Sequence, residues 1–300
     1  MANYQNSKEL SQLTLGKSTQ YCSEYNADLL QGVPRSLNRD DLGLNQQDNQ
    51  GDSLPSLPFT GEDVWYGYEL SWLNEKGKPI VAVAEFRFAC TSENIVESKS
   101  FKLYLNSFNQ TRFASIKDVQ LLLIKDLSKI SGAPAKVSLF GVDYCPALEI
   151  AKSNDKNVCI DGADISIDDY QYNAQLLASA HKSESSPDED NNDLVEEHLV
   201  SHLLKSNCLI TNQPDWASVY IHYRGKAIDH SVLLQYLISF RQHNEFHEQC
   251  VERIYCDLQK FCQLQELTVF ARYTRRGGLD INPFRSSHIA TAPFARTLRQ

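Results

Sequence analysis

The sequence predicts an α+β protein built twice, as two modules in tandem, each an antiparallel sheet with two helices on one face. Three observations carry this reading. Short stretches recur at a nearly constant spacing: Tyr104-Leu105-Asn106-Ser107-Phe108 with Tyr236-Leu237-Ile238-Ser239-Phe240, Asp126-Leu127 with Asp257-Leu258, and Val137-Ser138-Leu139-Phe140 with Leu267-Thr268-Val269-Phe270. Both copies run strand, strand, helix, helix, strand, strand, an order that buries its apolar faces most simply in two layers. Between them lies the acidic, apolar-poor stretch 181–193, which has the composition of a solvated linker.

In the first copy, 65–73 and 80–88 read as strands joined by the turn-rich run Asn74-Glu75-Lys76-Gly77-Lys78-Pro79. Phe101, Leu105 and Phe108 then stand at helical spacing within 98–108, as do Val119, Leu123 and Leu127 within 116–130. Strand character returns at 136–142. The second copy places strands at 199–204 and 217–223, helices at 229–240 and 245–261, and strands at 267–273 and 279–282, with Asp229 as an N-cap. The run 196–204 has helical propensity, and the repeat alone makes it a strand. The expected organisation is an N-terminal arm (1–60), a first module (61–180), the acidic linker (181–193) and a second module (194–300).

Composition narrows the function. Of 300 residues, 42% are hydrophobic and 22% charged, enough to bury a sizeable core. No run of roughly 18 apolar residues exists and the first residues are polar, so a cytoplasmic chain is expected. Eight cysteines without a Cys-x-x-Cys pair point to reduced thiols. A net charge of −9 argues against a broad nucleic-acid surface and makes any basic cluster informative.

Some motifs fail on inspection. Leu15-Gly16-Lys17-Ser18 lacks the earlier glycine of a phosphate loop, since Ser11 stands there. His198/His202 and His243/His247 have i, i+4 spacing but not the His-Glu-x-x-His pattern. Cys250, Cys256 and Cys262 are six apart, and six helical steps of about 100° turn them to different faces.

Four clusters carry chemistry. Cys208 and Asp215 flank a Gln-Pro turn signal, pairing a potential thiolate nucleophile with a group that can move its proton; core packing is the plain alternative for a free cysteine. Glu97-Ser98-Lys99-Ser100-Phe101-Lys102 opens a helix with an acid followed by two cations, and the aligned Ile228-Asp229-His230 has no lysines. Phe246-His247-Glu248 offers an aromatic face, an imidazole and a carboxylate able to accept from the N–H edge of a heterocycle. Arg275-Arg276-Gly277-Gly278 joins cations to a backbone that lets an anion approach closely. The two halves hold different groups, so a site spanning both would need both.

Together these residues resemble the QueF family of NADPH-dependent 7-cyano-7-deazaguanine reductases in its long two-module form. The likeness runs from Leu13-Thr14-Leu15-Gly16-Lys17-Ser18 and Gln31-Gly32-Val33-Pro34-Arg35 to Arg275-Arg276-Gly277-Gly278-Leu279-Asp280, and is most specific at 97–102 and at Cys208/Asp215. It implies tandem tunnelling-fold (T-fold) modules, each a four-stranded antiparallel sheet with two helices. It also implies a homodimer acting on a small deazapurine in queuosine biosynthesis, with no direct nucleic-acid or membrane partner and no metal. A nitrile would be reduced to a primary amine with two NADPH. Cys208 would form a covalent thioimide, Asp215 would donate a proton and His247 would assist. Glu97 and Glu248 would grip the heterocycle with help from Val96, Ser98 and His247, and Ser98, Lys99, Arg276 and Gly277 would hold NADPH. Two competitors are a metal-dependent cyclohydrolase-like enzyme on the same fold and a non-catalytic module binding modified nucleosides or tRNA.

Overall fold

A computed structural model describes residues 8–13, 21–44, 57–145, 150, 156–181, 194–293 and 296–300. The acidic stretch beyond His181 and the Gly16-Lys17-Ser18 run lie outside these. The chain opens with the short helix α1 (Lys8–Ser11), strand β1 (Gly32–Pro34) and helix α2 (Ser36–Asp41). The first half follows as β2 (Thr60–Leu73), β3 (Pro79–Ala89), β4 (Asn94–Val96), α3 (Ser98–Asn106), α4 (Ile116–Ser131), β5 (Lys136–Phe140) and β6 (Asn157–Cys159). The second contains β7 (Val195–Asn207), β8 (Pro214–Gly225), α5 (His230–Ser239), α6 (His247–Cys262), β9 (Glu266–Tyr273) and β10 (Leu279–Ser286).

The α+β class, the antiparallel pairing and the helices on one face are as the periodicities require. The ambiguous 196–204 run is strand β7, whose alternating residues Leu199 and Leu204 point into the core. Even the irregularities repeat: β2 slips register between Gly67 and Leu70, and β7 between Ser201 and Leu204, at equivalent places in their hairpins. Such bulges sharpen the local twist.

The connection between halves differs from the expectation of two separate sheets. One sheet of eight strands runs β5-β3-β2-β10-β9-β8-β7-β6. Strand β10 pairs along its whole length, Leu279 to Ser286, with β2, and with β9 only from Phe284 to Ser286. Strand β6, in turn, pairs with β7, in parallel. Each half therefore borrows its fourth strand from the other. At Gly61, φ is 144° and a Cβ would overlap the Phe284 carbonyl, so only glycine lets β2 lie this close to β10.

Trp65, Phe86, Phe101, Tyr104 and Leu123 fill the core beneath the first helix pair, and Ile221, Leu237, Ile254 and Leu258 that beneath the second. Each core is closed by a clasp that periodicity does not reveal. Tyr25 and Tyr104 both donate to Asp126 Oδ2 at 2.7 Å. Tyr172 and Tyr236 donate to Asp257 Oδ2 at 2.8 and 2.6 Å. The docking segments share a sequence, Tyr25-Asn26-Ala27 and Tyr172-Asn173-Ala174, and each asparagine caps a short 3₁₀ turn. Thus the chain before the acidic stretch, counted with the first module, packs on the second. Residues 21–44 of the expected arm are likewise built into the fold: Arg35 and Arg39 reach Asp63 and Glu252 through buried ion pairs of 2.5 and 2.7 Å.

Asp257→Ala leaves the buried Tyr236 hydroxyl and the part-buried Tyr172 hydroxyl without their acceptor and should lower stability by about 2–4 kcal/mol, against about 1 kcal/mol for Tyr172→Phe. Because the halves share strands, urea unfolding followed by tryptophan fluorescence should show a single transition for Asp257→Ala and for its counterpart Asp126→Ala. Two transitions, only one of them shifted, would contradict the shared sheet.

Candidate active site

Cys208 begins the loop that joins β7 to β8, and that loop is tied down at every corner. The Cys208 N–H donates to Gln213 O at 2.8 Å, and its carbonyl accepts from Asn212 N at 3.0 Å. Asn212 takes a left-handed φ of 55° to close the turn, as asparagine does more readily than most residues. Asn207 N donates to His243 O, and Glu245 N to Asn207 O, which fastens the loop to the approach to α6. Leu209 and Phe246 pack with Val33 and Ile95, so an apolar contact brings the thiol's loop and the start of α6 against β1 and β4 of the first half.

The result is a cavity of about 540 Å³ between the halves. The first half contributes Trp65, Val96, Ser98, Lys99 and Lys102 to its wall, the second Cys208, Thr211, Asp215, His247, Glu248, Arg276 and Gly277. All the site residues expected from sequence line this space except Glu97. The Glu97 carboxylate turns to its own helix, accepting from Lys99 N and Ser100 N at 2.7 Å each. Burial pushes its carboxyl above the usual range against those hydrogen bonds. The sequence reading gave this acid to the heterocycle. In the structure it caps α3, and thereby fixes Ser98 and Lys99 at the cavity rim.

Asp215, the second residue of β8, is buried; its Oδ1 stands 3.5 Å from His247 Nε2 and also receives Arg276. Burial is the largest influence and disfavours the charge, but His247 and Arg276 together hold the carboxyl below its ordinary range. For His247 burial again opposes the charge, and Asp215 wins, raising the imidazole above its usual value. The ring also stands edge-on to Tyr273 with centroids 4.2 Å apart, which fixes its plane. Glu248, in the first turn of α6, is raised to about 7, by burial first and then by the charge of Asp63.

Four polar atoms of the cavity wall are buried without a hydrogen-bond partner: Trp65 Nε1, Thr211 Oγ1, Asp215 Oδ2 and Glu248 Oε1. Unpartnered buried polar atoms are rare in native proteins, and their convergence on one cavity marks a wall shaped for a polar ligand. The cationic end of the cavity suits a phosphate-bearing cofactor: Lys99, Lys102 and Arg276 surround Gly277 and Gly278, whose φ values are 58° and 80°. A Cβ on Gly278 would come within 2.5 Å of the Glu69 carboxylate. Arg275 turns away and stacks on Tyr68, 4.2 Å from its centroid.

Trp65, Lys102, Thr211, Gln213 and Thr274 also line the cavity and were not among the site residues expected from sequence. Thr211 and Gln213 lie inside the Cys208–Asp215 segment and Lys102 inside the 97–102 motif, so those motifs were read too narrowly. Of the histidine pairs, His198 and His202 lie on a strand, with His198 against His222 and His202 bonded to Ser218. His243 stands 3.0 Å from Glu245, away from His247. Among the described residues no group of three or more His, Cys, Asp or Glu is arranged to hold a metal ion.

Comparison with known proteins agrees with this geometry. A family described as nitrile reductase, 7-cyano-7-deazaguanine-reductase N-term, matches residues 21–139, and one described as QueF-like protein matches 214–292. The NADPH-dependent 7-cyano-7-deazaguanine reductase of Colwellia psychrerythraea strain 34H is 79% identical over 300 residues, the full length of both chains. The chain belongs to this reductase family. Among solved structures, the archaeosine synthase QueF-Like in the apo form is 16% identical over 33% of this chain and 96% of its own, and its TM-score of 0.28 carries no argument. The site residues that the resemblance implies thus line, Glu97 apart, one cavity.

Glu248 provides a test that needs no ligand. Its folded pKa of about 7 lies above the ordinary carboxyl value of 4.5, so the protonated form favours folding. That contribution is full below about pH 4.5 and is lost as pH rises through 7. Glu248→Gln should therefore be more stable than wild type at pH 8, by at most about 3 kcal/mol, and no different at pH 4.5. Chemical denaturation at both pH values measures this.

Proposed function

We propose that this chain reduces 7-cyano-7-deazaguanine to 7-aminomethyl-7-deazaguanine through a covalent thioimide on Cys208, with NADPH as reductant, as a step in the biosynthesis of queuosine, a tRNA modification. The observation that carries the reading is a thiol sharing one cavity between the halves with an ionised acid, an unpartnered acceptor and a cationic, glycine-bearing rim.

Glu248 Oε1 accepts from the N–H edge of the heterocycle, and burial makes that bond discriminating, since an analogue lacking the donor leaves the acceptor bare. Val96, Ser98 and His247 flank the bound ring, while Glu97 acts at one remove by holding the start of α3. Cys208 sulfur bonds to the nitrile carbon as one C–N π bond opens. The Asp215 carboxylate takes the thiol proton and delivers it to the nitrogen, so that thiol and nitrile become a thioimide with every atom kept. His247 holds Asp215 in position and supplies the next proton. Ser98, Lys99, Arg276 and Gly277 hold NADPH, with Lys102 beside them. Two NADPH, bound in turn, would each supply one hydride and leave as NADP⁺, and the two hydrides with two protons convert the nitrile to the amine. Between them Cys208 must leave the carbon and recover a proton, which Asp215 and His247 are placed to return.

The chain acts on a free small molecule, a reading supported by its net charge of −9, and as the homodimer that the resemblance implies. Eight free cysteines fit a reducing, cytoplasmic setting.

Purified protein should oxidise NADPH only when the nitrile is present, and consume two per amine formed. Titration of absorbance loss against product measures both. Lys99→Ala should weaken NADPH binding more than nitrile binding, and Glu248→Ala the reverse, as read by calorimetry with each ligand. Cys208→Ala should abolish turnover. Turnover by that variant, or a stoichiometry of one, would overturn the reading.

A further inference from the structure

Arg276 has two claims on it. Its Nη1 donates to Asp215 Oδ1 and its Nη2 to Gln213 Oε1, so the guanidinium fork is occupied within the Cys208–Asp215 segment. The same side chain lies with Lys99, Lys102 and Gly277 at the cationic rim, where cofactor phosphates fit. A fork already paired with a carboxylate cannot present the same N–H groups to a phosphate. The partners also differ in freedom: the Arg276 side chain is 36% exposed and that of Asp215 is 1%. The arginine can therefore swing outward, and the acid stays where it is.

We infer that Arg276 is a positioning residue that senses the cofactor, holding Asp215 as an idle ionised carboxylate until a phosphate-bearing nicotinamide draws it away and frees Asp215 to shuttle the proton. This rests on the thioimide reading above.

The surroundings of Asp215 support a change of this sign. It meets His247 from α6 and Arg276 from the turn before β10, and its charge reaches Tyr273 of β9 and Lys205 of β7, while Cys208 and Glu248 line the same cavity. Burial raises its proton affinity, and His247 and Arg276 are the named influences that lower it. Removing Arg276 leaves burial opposed by His247 alone. A carboxylate that binds protons more strongly is a better base toward a thiol. The unpartnered Oδ2 is then the oxygen left to carry the proton from sulfur to nitrogen.

The test follows formation of the Cys208 adduct by intact-protein mass spectrometry, with nitrile present and NADPH absent. NADP⁺, which carries the phosphates but no hydride, should speed adduct formation several-fold at pH 7.5, because a carboxylate released from Arg276 is a stronger base toward the thiol. It should also move the acid limb of the rate profile, below which Asp215 is protonated and cannot take the thiol proton, to higher pH. Arg276→Gln should show the faster rate and the shifted limb without NADP⁺ and ignore its addition. Gln213→Ala, which only loosens the arginine, should lie between. An arginine that merely braces the loop would leave the limb in place. Wild-type protein whose rate and limb do not respond to NADP⁺ overturns the inference even if no variant folds, and so does a slower adduct in Arg276→Gln. Absence of any adduct on wild-type Cys208 overturns the thioimide reading itself, and this inference with it.

Discussion

Arg285 of β10 sits fully buried between two acids, Asp63 of β2 at 2.8 Å and Glu252 of α6 at 2.9 Å. Arg35 and Arg39, from the start of the chain, close the far sides of the same two carboxylates. A buried carboxylate that loses one such partner is worth about 3–5 kcal/mol of instability, so these five side chains must be assembled together or not at all. Their attraction joins four parts of the chain that local pattern does not connect. It also sets the chemistry. Glu248 lies one helical turn before Glu252 on α6, so anchoring the second aims the first into the cavity, and the charge of Asp63 is part of what makes Glu248 reluctant to ionise.

The cavity is accordingly a property of the junction. Cys208 and Asp215 come from a hairpin of the second half, the lysines from a helix of the first, and Leu279 and Ile281 of the exchanged strand form part of the wall. Divergence of the two copies makes sense on these terms. The lysines at Lys99 and Lys102 have no counterpart after Asp229, because only one of the two helix starts faces the cavity.

Much of this was legible in the sequence. Alternation in 65–73 and 217–223 and helical spacing in 116–130 and 245–261 survive because strands and helices bury one face each; the structure moves the ends of those helices by one or two residues and extends the strands to Thr60–Leu73 and Pro214–Gly225. Asp229 is the cap it was expected to be, accepting from Ser231 N at 2.8 Å. The chemical residues were legible for another reason: their types are unusual where they stand, as with a thiol and an acid around a Gln-Pro turn. Partners distant in sequence were not. Nothing in 279–282 says that it lies against 64–67, since an apolar strand suits either neighbour. The Tyr-Asn-Ala triplets were visible as a repeat but lie in segments with no periodicity to draw attention to them. The Glu97 carboxylate carries the same signal whether it caps a helix or faces a ligand, and the meeting of Arg276 with Asp215 depends on two turns converging.

The exchange of β10 bears on how the protein comes into being. Tyr68 and Asp280, bonded across the β2 and β10 pairing, are 212 residues apart in the chain. Contacts of that separation form late, because a long loop must close before they repay its entropy. During synthesis the first half therefore waits with one edge of its sheet bare until nearly the whole chain has left the ribosome. Arg276, Gly277 and the part of the cavity wall made by Leu279 and Ile281 all arrive with that segment. A chain without that segment thus carries Cys208 but not the wall that Arg276, Leu279 and Ile281 build beside it, and the cavity takes shape only when both halves have met.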